Sequence, residues 1–273
     1  MLDSLGLYNA GLLSRPTAIF TLDSVRYGFC AFAPNTGTVD FRDLEGAKSI
    51  VAGLDSVSDI VIVSFHGGAE GKGHRHIKKM NEEFLGENRG DPYAFARAVI
   101  DAGADIVFGH GPHITRAIDL YKDRFIAYSL GNFATYARFN LSGHNGVAPI
   151  ARIRIDRTGR FIDGKLIAIK QEGEGGPVPD EEGRAVKEVI ELTRADVPEA
   201  PITIHEDGRI LRNDGELLPI GRNAFVAGFY IRRANASTPF VVARASWHDQ
   251  RFSVPHSRRS TGWPSRAFSF PCS

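Results

Sequence analysis

Three histidines stand in settings that suit chemistry. His66 lies in Val-Ser-Phe-His-Gly-Gly, and His110 and His113 lie in Phe-Gly-His-Gly-Pro-His. Each segment opens with apolar residues and glycine adjoins His66 and His110, so the histidines are expected where a buried strand ends and a loop begins. Ligand sites in open α/β sheets gather at the carboxyl ends of strands, and glycine lets a ligand approach the backbone. Neutral imidazole suits Zn, Fe, Mn or Ni, and two histidines three apart around a Gly-Pro pair can present nitrogens to two adjacent ions. His66 alone reads more simply as a hydrogen-bonded turn residue. Taken with Gly-His-Gly-Pro-His, it points to metal binding.

The elements that must position these residues are short apolar runs. Thr17 to Leu22 and Val25 to Ala33 read as strands, and Phe41 to Leu54 as a helix. Ile60 to Phe65, Ile106 to Phe108 and Phe125 to Leu130 are buried-strand runs, and a helical pattern from Pro92 to Ala102 separates the first two. Strand, helix, strand implies a layered α/β sheet. Val147 to Ile155 and Phe161 to Lys170 read as strands joined by a turn at Gly159, followed by a helix over Glu181 to Thr193. Leu2 to Tyr8 resembles the last turns of an amphipathic helix ending at Gly6, as though the chain were entered in mid-domain.

The chain has 273 residues, of which 42% are hydrophobic, and a net charge of +1. That suits one large domain or two small ones. The charge is unevenly spread, because Leu217 to Ser273 holds 8 arginines, no lysine and one acid, Asp249. From about Asn213 the periodicity is lost, so residues 1–213 read as the folded body and 214–273 as a basic Arg/Ser/Pro-rich tail that packs poorly. Cys30 and Cys272 are too far apart to suggest a disulfide framework or a cysteine metal site. The sequence shows no signal peptide and no run long enough to span a membrane, which makes cytoplasmic the default compartment.

The motifs carry a resemblance. His66-Gly-Gly-Ala-Glu70 is similar to the His-x-Gly-x-Glu segment of the CapA (poly-γ-glutamate capsule synthesis) family. Gly103-Ala-Asp-Ile-Val-Phe-Gly-His-Gly-Pro-His113 resembles that family's metal-binding strand and loop, and Ile126-Ala-Tyr-Ser-Leu-Gly-Asn-Phe133 its closing signature. The resemblance implies the C-terminal portion of a calcineurin-like metallophosphatase fold, a layered β-sandwich flanked by helices, with the N-terminal part missing. It implies divalent metal (Mn, Zn or Fe), a metal-activated water as nucleophile, and an anionic polymer or small molecule of the capsule or cell envelope as substrate. By matching motifs, His66 and His110 would ligate one ion and His113 the other. Two departures stand out. Gly67 occupies a position where the family often has Trp, and the family's opening Gly-Asp, Asn-Leu-Glu and Asn-Asn-His segments would lie before Met1.

Three neutral imidazoles supply no anionic oxygen to hold two mutually repelling ions, so at most one weakly bound metal is expected, and a dinuclear centre only in the complete protein. Glu70 and Asn132 are candidates for contact with substrate or with the metal-binding side chains. No residue is singled out as catalytic. His74 and His76, among Lys72, Arg75, Lys78 and Lys79, read most simply as a solvated basic loop. Arg116 and Tyr128 read as helix-surface and strand-packing residues before rim contacts.

Two other readings compete. A serine esterase would use Ser129 as nucleophile and His66-Gly-Gly as an oxyanion loop, but the nucleophile elbow needs a helix directly after the serine. A truncated, non-catalytic binding remnant would keep the fold without the activity. Nucleic acid is a weaker partner, resting on the basic tail alone.

Overall fold

The structure is a computed structural model that describes residues 7–135, 140–172 and 176–213, together with the backbone of two strands at 224–231 and 241–248. In chain order the elements are β1 (Thr17–Leu22), β2 (Val25–Phe32), α1 (Leu44–Asp55), β3 (Ile60–His66), β4 (Glu83–Phe84), β5 (Glu87–Asn88), α2 (Pro92–Asp101), β6 (Ile106–His110), β7 (Ile118–Tyr121) and β8 (Arg124–Ala127). They continue with β9 (Val147–Ile155), β10 (Phe161–Lys170), β11 (Val178–Pro179), α3 (Arg184–Asp196), β12 (Ile202–Ile204), β13 (Arg209–Arg212), β14 (Ala224–Ile231) and β15 (Val241–His248).

Two sheets carry the fold. The first has the order β1-β2-β3-β6-β8-β7, and the second β12-β13-β10-β9-β14-β15 with β11 paired to β10. In the first, β2, β3, β6 and β8 run parallel. Parallel strands linked through helices are covered on both faces, and β3 accordingly reads Ile-Val-Ile-Val-Ser-Phe, buried at every one of these positions. In the antiparallel second sheet, Arg152 of β9 is exposed between buried Ala151 and Ile153. Phe125 of β8 stacks on Phe161 of β10 at 5.6 Å between ring centroids, joining the sheets in one core. This is the layered α/β sandwich that the motifs implied.

Both helices that lie between strands of the first sheet, α1 between β2 and β3 and α2 between β3 and β6, have side-chain caps. Asp43 accepts from Gly46 N at the start of α1; Asp91 accepts from Tyr93 N and Ala94 N at the start of α2, where Pro92 is already set for helical φ. α1 packs on β2 and β3, α2 on β6, and α3 on β9, β10 and β7. Thr193 of α3 fixes the β7 contact, its hydroxyl accepting from Ile118 N at 3.1 Å.

The basic segment after Glu70 is not simply solvated. Its cations meet acids of α3 and the following turn: Arg75 pairs with Glu191, His76 Nδ1 lies 2.7 Å from Asp196 Oδ1, and Lys79 pairs with Glu199. Lys72 and Lys78 are exposed. The helix reading for the first six residues lies outside the described residues. Of the tail, β14 pairs with β9 and β15 with β14 through the backbone, so these two strands extend the second sheet. The remainder of 214–273 lies outside the described residues.

Candidate metal centre

β3 and β6 are adjacent parallel strands in which His66 pairs in register with His110. The loops beyond them run backbone to backbone. Gly67 N donates to His110 O at 2.8 Å and Gly71 N to Pro112 O at 2.9 Å. A Cβ on Gly111, whose φ is +122°, would lie 2.7 Å from Gly67 N, so only glycine allows this approach.

That approach gathers His66, Glu70 and His113, which can each offer a ligand atom within 4.8 Å of the others. The rings of His66 and His113 meet edge-on at 6.1 Å between centroids. His113 Nε2 lies 3.8 Å from Glu70 Oε2, and Arg89 donates to the other carboxylate oxygen, Oε1, at 2.9 Å. The family resemblance implied His66 and His110 on one ion and His113 on the other; the ligand atoms that lie within 4.8 Å of one another are those of His66, Glu70 and His113.

His110 is 7% exposed, and among the described residues neither of its ring nitrogens has a hydrogen-bond partner. Burial, with a smaller contribution from the nearby His113, pushes its pKa down to about 3. It is thus a neutral imidazole with an uncommitted lone pair, in register with His66. A buried polar side chain without a partner costs free energy that a ligand can offset. Two imidazoles and one carboxylate within 4.8 Å of one another form a donor set suited to Zn, Mn or Fe, so His66, Glu70 and His113 fit a divalent ion.

Asn132 lies beneath His113. Its Oδ1 is 2.9 Å from His113 Nδ1, and its Nδ2 donates to His113 O at 3.0 Å and to Asn145 O at 3.1 Å. Asn145, in a 3-10 turn at Gly143–Gly146, is a residue the sequence did not single out.

Arg116 is neither a rim contact nor a helix-surface residue. It is fully buried and forms a two-pronged pair with Glu82 at 2.9 and 2.8 Å, while donating to His74 O and Ala69 O. Glu82 also accepts from Ala69 N at 2.7 Å, so the pair fixes the backbone beside Glu70. Tyr128 is packed as a strand residue, its hydroxyl accepting from Arg97 and donating to Asp119.

The esterase reading fails on geometry. Ser129 is buried with its hydroxyl donating to Ile114 O at 2.7 Å, and residues 130–135 directly after it are not helical. The amides of Gly67 and Gly68 already donate to His110 O and Arg89 O, leaving no oxyanion donors there.

Comparison with known proteins decides the family. Residues 2–137 match the model of the bacterial capsule synthesis protein PGA_cap. Over these residues the chain belongs to that capsule-synthesis family. It is 42% identical over 104 residues to the PGA biosynthesis protein CapA of Bacillus subtilis (strain 168), covering 35% of this chain and 27% of that protein. It is 41% identical over 78 residues to the capsule biosynthesis protein CapA of Bacillus anthracis, covering 28% of this chain and 15% of the relative. The matched region of each relative is therefore well under half its length. An uncharacterized protein, y4sH, of Sinorhizobium fredii is 65% identical over 40 residues, 15% of this chain and 9% of that one. The capsule-synthesis match covers all three site histidines, Glu70 and Asn132. Among the described residues no helix is long and apolar enough to cross a membrane.

Proposed function

We propose that this capsule-synthesis chain is a metal-dependent hydrolase-type protein in which His66, Glu70 and His113 hold one divalent ion, with His110 beside them as a further neutral donor. The observation that carries this is the 4.8 Å grouping of two imidazoles and a carboxylate on loops joined backbone to backbone. A divalent ion there would supply Lewis acidity, lowering the pKa of water and polarising the oxygen of the bond to be cleaved. The chain's own residues prepare the place. Burial keeps His110 neutral across physiological pH, and Arg89 holds one oxygen of Glu70, leaving the other on the His113 side. Glu70 provides the negative charge that three imidazoles lack.

From the relatives' capsule and PGA biosynthesis roles we carry over an anionic capsule or envelope polymer as the substrate class. The fold leaves open whether an ester or an amide bond is cleaved.

Calorimetric titration of the full chain with Zn or Mn tests the reading. One ion per chain is expected, with affinity falling at least about tenfold in His113→Ala and Glu70→Gln. A single carboxylate does not make the bridged two-ion centre that generic phosphatases use, so turnover of p-nitrophenyl phosphate by this chain is expected to be at or near background. Absence of saturable binding, or binding indifferent to both substitutions, would overturn the metal site; fast phosphoester turnover abolished by His110→Ala would overturn the one-ion description.

A further inference from the structure

We propose that Asn132 is a positioning residue that sets the ring tautomer of His113, so that Nε2 and not Nδ1 offers its lone pair toward Glu70 and His66. The use of that lone pair rests on the metal reading above; the tautomer itself does not.

The argument turns on which groups can only accept. Asn132 Nδ2 lies 3.0 Å from His113 O and 3.1 Å from Asn145 O. Both are backbone carbonyls, so the amide end facing them must be the NH2 group. That leaves Oδ1, which can only accept, 2.9 Å from His113 Nδ1. The contact is a hydrogen bond only if Nδ1 carries a proton. A neutral imidazole has one N–H, so Nε2 keeps its lone pair, and Nε2 is the nitrogen 3.8 Å from Glu70 Oε2.

The same amide also holds the main chain that aims the ring. His113 has φ +59°, a left-handed conformation that costs a non-glycine residue on the order of 1–3 kcal/mol unless its surroundings impose it. Its carbonyl accepts from Asn132 Nδ2 and, at 3.4 Å, from Asn145 Nδ2. The turn carrying Asn145 is tied in turn to α3, where His144 Nδ1 meets Glu188 Oε1 at 2.5 Å. One side chain thus fixes both the proton position and the backbone of the same histidine. Such outer contacts typically change metal affinity by about 10–100-fold.

The test is long-range 1H–15N correlation spectroscopy on the metal-free full chain labelled at histidine, with His113 assigned through His113→Gln. The wild type is expected to show a protonated Nδ1 and an unprotonated Nε2 at neutral pH. Asn132→Ala should mix the tautomers and weaken zinc binding by about 10–100-fold. Asn132→Asp keeps an acceptor opposite Nδ1 but loses the donor to His113 O and Asn145 O, so it should retain the tautomer while zinc binding weakens; a lost tautomer in this variant would count against the acceptor's role, whether or not the alanine variant folds. A proton on Nε2 in the wild type, or an unchanged tautomer and zinc affinity in Asn132→Ala, would overturn the proposal. A chain that shows the tautomer but binds no zinc would sink the metal reading and leave the tautomer lock standing.

Discussion

Arg116→Met should be among the most damaging single substitutions in this fold. The guanidinium and its partner Glu82 are both fully buried as side chains. In the variant the Glu82 carboxylate would stay buried with Ala69 N, at 2.7 Å, as its remaining donor, while His74 O and Ala69 O each lose a donor. Breaking one side of such a pair typically costs about 3–5 kcal/mol, and the two deprived carbonyls favour the upper end. Against a total stability of about 5–15 kcal/mol this is a large fraction. A urea titration followed by circular dichroism should show a lower midpoint at unchanged slope, and the melting temperature should fall by roughly 6–20 °C. Zinc affinity should fall as well, because Glu82 holds the amide immediately before Glu70. The double variant Arg116→Met/Glu82→Leu should recover part of the loss, since replacing both members of a buried pair with apolar groups costs far less than orphaning one. A single variant within about 1 kcal/mol of wild type, or a double variant no more stable than the single, would refute the reasoning.

Two further outcomes follow from buried contacts. Burial raises the Asp105 carboxyl to about 6 despite its hydrogen bond from Val61 N and its ion pair with Arg124. The folded state therefore holds a proton that the unfolded chain releases near pH 4, so this residue favours folding at low pH and that contribution is lost as pH rises through about 6. The effect is up to about 3 kcal/mol, and a pH series of denaturation midpoints should flatten between pH 4 and 7 in Asp105→Asn; an unchanged profile would count against it. A Cβ on Gly67 would lie 2.7 Å from Phe41 Cδ1, in a ring packed against Phe65 and Phe95 at 5.0 and 4.5 Å. Gly67→Ala should therefore cost about 1–3 kcal/mol by thermal denaturation, and a neutral result would show that Phe41 yields.

The parts of the fold legible in the sequence were those in which local pattern and tertiary burial agree. Thr17–Leu22, Val147–Ile155 and Phe161–Lys170 are strands with the expected limits, because their apolar runs are bounded by turns such as Gly159, which has φ +77°. Asp43 and Asp91 cap helices that begin later than, or at, the first residue of each expected helical run. β7 was missed because Ile-Asp-Leu-Tyr is short and carries Asp119, a buried acid satisfied by Arg97 and Tyr128 from elsewhere in the fold. Arg116 was misread for a related reason. Its partner, Glu82, lies 34 residues earlier in a loop with no periodicity, and no local pattern reveals a buried ion pair.

The candidate site divides along the same line. His66 and His110 stand at strand ends, as their apolar runs imply, and Gly67 and Gly111, which the sequence marks as places where a ligand can approach, are also where the two loops meet. Its charge followed a longer route. Glu70 belongs to the site because Gly71 N binds Pro112 O, because Arg89 returns from beyond the β4–β5 hairpin to hold its carboxylate, and because the buried Arg116–Glu82 pair fixes Ala69. A sequence reader who sees three neutral ligands reasonably expects weak binding. In the proposed site the missing charge comes from an acid only four residues beyond His66, yet placed by contacts 13 to 47 residues apart along the chain. On the one-ion reading proposed above, the buried Arg116–Glu82 pair holds the loop that carries Glu70, so substitutions that never touch the proposed ligands should weaken metal binding.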